Sequence, residues 1–147
     1  VLLLAGGCGY SFTAAGRLTG GVQAVAVHPF ENRSAEPELG AAFTSALREE
    51  LAGRGLLGRG DVRAAIAGEV AAGVPVPAVP GGVGWRIAID VRARLVDGDR
   101  VVVERTLRRE TSYAAGIDAL ETEGRRALAL RKLAADCARE LVATLVE

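Results

Sequence analysis

Few residues in this chain could do covalent or acid–base chemistry: one histidine, His28, and two cysteines, Cys8 and Cys137. A side-chain nucleophile needs a base within hydrogen-bond reach, and a zinc site needs clustered Cys, His or carboxylate ligands. One histidine and two cysteines 129 residues apart supply neither, and they make no disulfide framework. No G-x-S-x-G, no G-x-x-x-x-G-K-[ST] and no helix-opening G-x-G-x-x-G occurs. The carboxylates Asp97 and Asp99 flank Gly98 in a turn signal, where they serve turn chemistry. The sequence therefore predicts a binding or structural protein, with no catalytic residue, no metal site and no cofactor.

Cys8 is the exception, because its surroundings give it a chemistry of its own. Val1-Leu2-Leu3-Leu4-Ala5 is apolar, small Gly6 and Gly7 follow, and Cys8 comes next. An apolar run closed by small residues is the pattern of secretory processing. It resembles a bacterial lipobox, in which the cysteine becomes the acylated first residue, although Ala5 stands where Leu is usual. A buried thiol in a first strand is the competing account, and Gly6, Gly7 and Gly9 make a poor strand. The expected organisation is a signal-peptide remnant over 1–7, a lipidated tether over 8–21 and one domain over 22–147. The chain does not begin with Met, which fits a leader that starts further upstream. Acyl chains are worth about 0.8 kcal/mol per buried CH₂, so two or more make a stable anchor. Thirteen residues separate Cys8 from Val22, and at roughly 3.3–3.6 Å each they reach at most about 45 Å. The domain must work close to its membrane.

Composition narrows the partners. The formal net charge is zero, so no global field draws the chain to nucleic acid. No apolar run approaches the roughly 20 residues that span a bilayer. Of the basic residues only Lys132 is lysine. A GC-rich genome explains that bias, and arginine also suits bidentate phosphate contacts.

The elements that would position these groups follow from periodicity. Val22 to His28 fits a strand with apolar residues on both faces, which predicts a central position. Leu39, Phe43, Leu47 and Leu51 recur every four residues in a helix over about 37–53, with Pro37 in its first turn and Gly53 and Gly55 ending it. Val62 to Val70 is an alanine-rich strand. Ala71 to Gly84 carries three prolines and four glycines and reads as an extended loop without regular structure. Ala127, Leu130, Ala134, Cys137, Leu141 and Leu145 mark a long helix over about 117–146, and place Cys137 on its buried stripe.

Trp85 to Val96 is the clearest strand. Trp85, Ile87, Ile89, Val91, Ala93 and Leu95 share one face, and Arg86, Asp90, Arg92 and Arg94 share the other. Asp97-Gly98-Asp99 turns the chain into a return strand over 101–112. A three-residue loop would set Leu95 against Val101, Ala93 against Val103 and Ile89 against Leu107. It would also pair Arg92 with Glu104 and Arg86 with Glu110 outside. A two-residue loop would set Arg94 against Val101 and Arg92 against Val103, so the first register is expected. It leaves Arg105 on the inner face opposite Val91, without an explanation. The predicted fold is α+β, in the order β-α-β-β-β-α, with two amphipathic helices on one face of a four-stranded, mostly antiparallel sheet.

Three stretches now point to a family. Cys8-Gly9-Tyr10-Ser11-Phe12, Val25-Ala26-Val27-His28-Pro29-Phe30-Glu31-Asn32-Arg33-Ser34 and Ala46-Leu47-Arg48-Glu49-Glu50-Leu51 resemble the LptE lipopolysaccharide-assembly lipoproteins. Thr122 to Leu128 and the helix behind it are similar to the end of that family. Thr19 replaces an expected proline, and His28 a less polar residue. The resemblance implies an outer-membrane lipoprotein on the periplasmic side. It would plug an LptD-type β-barrel and help lipopolysaccharide reach the surface. Arg86, Arg92 and Arg94 could then meet lipopolysaccharide phosphates or the barrel, or simply pair with Glu104 and Glu110 on a solvated face. The Val-Ala-Val-x-Pro-Phe-x-Asn stretch also resembles TolB-like, LpoB-type and CsgG-type proteins. That implies a rival: an envelope lipoprotein that regulates a periplasmic enzyme or forms an oligomer. The short tether and the lack of membrane-inserting hairpins speak against it.

Overall fold

The computed structural model describes residues 16–147, so Cys8 and the expected processing site lie outside the described residues. In chain order the elements are β1 (Ala26–Val27), β2 (Glu31–Asn32), α1 (Leu39–Gly53), β3 (Ala64–Ala72), β4 (Val76–Pro77), β5 (Gly84–Asp97), β6 (Arg100–Ala114) and α2 (Ala119–Leu145). The fold is α+β, with two helices and one mixed sheet of six strands, where the sequence suggested four. The two additions are interruptions. Strands β1 and β2 both run parallel to β3, at Ala65–Ile66 and Glu69–Val70. They form one broken edge, split around Pro29, which has no N–H for a ladder. Likewise β3 and β4 both pair antiparallel with β5. The stretch expected to lack regular structure therefore begins inside β3 and contains β4, placed at a sheet edge where proline is tolerated.

The first strand is not central, as its two-sided apolar pattern suggested. It is a parallel edge beside β3, and α1 makes the crossover that a parallel pair requires. Phe43, Leu47 and Leu51 of α1 meet Leu130, Cys137, Leu141 and Leu145 of α2 over the inner face of the sheet. That face is Ile66 and Val70 of β3 and the odd-numbered Ile87, Ile89, Val91, Ala93 and Leu95 of β5, all buried. The buried Thr44 joins the layers: its hydroxyl accepts from Phe30 N–H at 2.9 Å and donates to the Gly40 carbonyl at 2.7 Å. The edge of the Phe30 ring meets Phe43, with centroids 4.8 Å apart. Helix α2 starts at Asp118, whose carboxylate accepts from the Glu121 N–H at 2.7 Å. At its other end Thr19 donates to the Leu145 carbonyl at 3.0 Å, tying the N-terminal segment to the end of α2.

The hairpin register differs from both expectations. Asp97 faces Arg100 and Val96 faces Val101 across a two-residue turn, with Gly98 at φ +60°. Then Val102 is inserted as a bulge, and Leu95 faces Val103, Ala93 faces Arg105 and Val91 faces Leu107. The cause is packing: partly buried Val102 turns against the core, beside Gly20 of the N-terminal segment. Beyond the bulge the shift relative to the expected register is two residues, so side chains from Val103 onward keep the face that alternation gave them, while Val101 is turned outward and Val102 inward. Arg105 lies opposite Ala93, not Val91. As β6 is an edge strand, its half-buried side chain can lean past the sheet, where it donates to the Glu104 carbonyl at 3.2 Å.

Gly68 allows β3 to lie against β5. A Cβ there would sit 2.0 Å from the Arg92 carbonyl oxygen and 2.8 Å from the Phe30 ring. Neither backbone can yield cheaply, so Gly68→Ala should cost at least the 1–3 kcal/mol typical of overpacking. Urea unfolding of the variant against the parent measures this as a lowered midpoint.

Candidate functional site

The helices cover only the inner face of the sheet, and its outer face is charged. Strand β5 points Arg86, Asp90, Arg92 and Arg94 outward, and β6 adds Glu104, Arg108 and Glu110 by the same two-residue period. Arg92 contacts Glu104 at 2.8 Å and Arg86 reaches Glu110 at 3.7 Å. Both pairings named from the sequence thus form, but diagonally: Arg92 is opposite Thr106, and Arg86 opposite Ser112. Arg108 holds Asp90 through both carboxylate oxygens, at 2.9 and 2.7 Å. These pairs are exposed, and such pairs contribute at most about 1 kcal/mol each. A face held this weakly can exchange its partners for a ligand's charges.

Glu104, opposite Arg94 in the register, closes on Arg92 instead. Among the described residues, Arg94 is the outward arginine of β5 that carries no ion pair. It opens on a groove of about 430 Å³ bounded by Glu31, Arg33, Glu69 and Arg92. Arg33 lies 2.9 Å from Glu31 and 3.2 Å from Glu69. Sequence reasoning did not bring Glu31, Arg33 and Glu69 to this site, because a two-residue parallel strand leaves almost no periodic signal. Glu69 alone was readable, as an outward position in an alanine-rich strand. The groove is lined by three arginines and two glutamates; Arg33 is held by both glutamates and Arg92 by Glu104 beyond it, which leaves Arg94 as the guanidinium open to an anion. It can accept an anionic group through charge-assisted hydrogen bonds.

The other reactive side chains do not gather. His28 is exposed at the end of β1, with its backbone N–H donating to the Ile66 carbonyl at 3.0 Å. Cys137 is fully buried between the helices and the sheet. Among the described residues no group of His, Cys, Asp and Glu has metal-site geometry, and no helix is long and apolar enough to cross a membrane.

Comparison with known proteins agrees with this architecture. A family model described as "LptE: Lipopolysaccharide-assembly" matches residues 22–145. No curated protein matches the chain. Several solved structures share the fold. A minor lipoprotein from Acinetobacter baumannii superposes with a TM-score of 0.64 at 16% identity, covering 84% of this chain and 90% of its own. The rare lipoprotein B of Shewanella oneidensis gives 0.58 at 11% identity, covering 78% and 91%. PelC from Paraburkholderia phytofirmans, solved as a dodecamer, gives 0.60 at 20% identity, covering 90% and 95%. At such identities the likeness is one of fold.

Burial pushes the Cys137 thiol up to about 11, so it stays protonated and unreactive at neutral pH. An unlipidated chain carrying Cys8→Ala should leave Cys137 unlabelled by iodoacetamide at pH 8 while folded and fully labelled in denaturant. Mass spectrometry of the two samples reads the difference.

Proposed function

The chain belongs to the LptE lipopolysaccharide-assembly family, and we propose on that premise that it is an outer-membrane lipoprotein, anchored through Cys8, that partners and plugs an LptD-type β-barrel. The match across residues 22–145 carries this reading, since it spans every strand and helix of the domain. In the mature protein the role is one of binding and support, with no reaction assigned to any residue. The tether keeps the domain within about 45 Å of Cys8, the range needed by a partner in the same membrane.

The groove beside Arg94 is the place we assign to lipopolysaccharide phosphate. Arg94 supplies a guanidinium with no carboxylate to displace, whereas Arg86 and Arg92 must first give up Glu110 and Glu104. A phosphate that spans Arg94 and Arg92 would be held by two charge-assisted contacts, each worth about 1.5–3 kcal/mol.

Two outcomes follow. Tagged protein purified from detergent-solubilised envelopes should carry a large outer-membrane β-barrel of LptD type in fixed stoichiometry. A peptidoglycan synthase, or a ring of this chain alone, would contradict the assignment. In a binding assay with purified lipopolysaccharide, Arg94→Ala should weaken the interaction about tenfold. Its thermal stability should stay within about 0.5 kcal/mol of the parent, because the side chain is exposed and unpaired.

A further inference from the structure

Most of the sheet's boundary is closed or short. At the β1–β2 edge, α1 and the chain after it meet the outward backbone groups. The Val25 N–H donates to the Leu56 carbonyl at 3.0 Å, Arg48 to the Val27 carbonyl at 2.8 Å, and the Phe30 N–H to the Thr44 hydroxyl at 2.9 Å. Strand β4 is two residues long and ends in Pro77, which has no N–H. Strand β6 differs. It spans 15 residues and pairs with β5 alone, and among the described residues no other backbone segment hydrogen-bonds to it. A long edge of this kind is a template for a further strand.

The register shows which of its groups stand open. The Gly73 N–H donates to the Ala88 carbonyl and the Ala78 N–H to the Gly84 carbonyl, both at 2.9 Å, so even-numbered residues of β5 turn their backbone toward β3 and β4. Odd-numbered residues of β5 then bond to β6, where they face Val103, Arg105, Leu107 and Arg109. That leaves the N–H and C=O of Glu104, Thr106, Arg108, Glu110 and Ser112 pointing away from the sheet. Two of these carbonyls are already taken. Arg105 donates from Nη1 to the Glu104 carbonyl at 3.2 Å, and Arg109 from Nη1 to the Arg108 carbonyl at 3.1 Å. The second guanidinium is also held from α2, by Glu140. Both arginines stand on the inner face of the strand, where alternation would place core residues.

We propose that Arg105 and Arg109 guard the β6 edge against pairing with a second copy of this chain. A copy suits the edge because the outward charges are self-complementary. With Thr106 opposite Thr106 of an antiparallel copy, Glu104 meets Arg108 of the copy, and two-fold symmetry repeats the pair. The same register sets Arg105 against Leu107 of the copy and Arg109 against Val103. Each guanidinium would then press on an aliphatic side chain and give up its carbonyl to an incoming N–H. Inward-pointing charge on an edge strand opposes such pairing. The guard keeps the domain a single chain, and it does so whatever barrel the chain serves.

The test uses the unlipidated full chain carrying Cys8→Ala, in sedimentation velocity over a range of concentrations. This parent should sediment as one species of single-chain mass. Arg105→Thr with Arg109→Thr replaces both guards by residues that suit a strand. Self-association should strengthen by about tenfold or more, as the inner-face contacts turn from unfavourable to favourable. Arg105→Thr alone, which leaves the Glu140 contact in place, should act in the same direction to a smaller degree. Adding Thr106→Pro to the double variant removes the N–H at the centre of the pairing and should restore the single chain, since an edge strand tolerates proline on its open side. Amide hydrogen exchange of the associated double variant should show new protection at Thr106, Arg108 and Glu110 and none at the edge beside α1. Parent and double variant sedimenting alike would overturn the proposal. So would association that Thr106→Pro leaves unchanged, or a parent already paired along β6.

Discussion

The two-residue period of the long β5–β6 hairpin is the constraint on which the rest of the molecule depends. Odd positions of β5 from Ile87 to Leu95 are apolar and buried, while even positions carry Arg86, Asp90, Arg92 and Arg94 on the other face. The alternation decides which face α1 and α2 must cover, and so leaves one face of the sheet free for charge. It also survives the bulge at Val102, which exchanges the faces of Val101 and Val102 and leaves the strand from Val103 onward in phase. A shift of one residue would have placed four ionisable groups under the helices.

Much of this was legible in the sequence, for reasons that differ between elements. The stripes of Leu39, Phe43, Leu47 and Leu51, and of Leu130 to Leu145, defined both helices to within two residues. The faces of β5 were readable because fourteen residues repeat a period of two. The register was not, because the bulge is set by contact between Val102 and the N-terminal segment, which no local pattern encodes. The broken edge strand escaped for a similar reason: only Ala26–Val27 and Glu31–Asn32 pair, too few residues for a periodic signal. In the loop, prolines masked β4, since a strand that uses only part of its backbone ladder can tolerate them.

The candidate site shows the same division. Arg86, Arg92 and Arg94 share a face because alternation requires it, but the single unpaired position, Arg94, depends on the choice Glu104 makes between two neighbours. Opposite ends of the sheet then have unlike characters. The hairpin-turn end holds Leu18 of the N-terminal segment, and the other holds valines, Trp85 and Tyr113. The helices cover the inner face and leave the outer face of the sheet open.

The central proposal is that the outer face of β5 and β6, with the groove beside Arg94, is the surface that meets lipopolysaccharide. Site-specific photo-crosslinking in cells tests it most directly, with the probe placed at Thr106, exposed and opposite Arg92, and in a second strain at Arg131, exposed on α2. The account predicts adducts to lipopolysaccharide or to the barrel from position 106, with few from position 131. Strong adducts from position 131 and none from position 106 would contradict it.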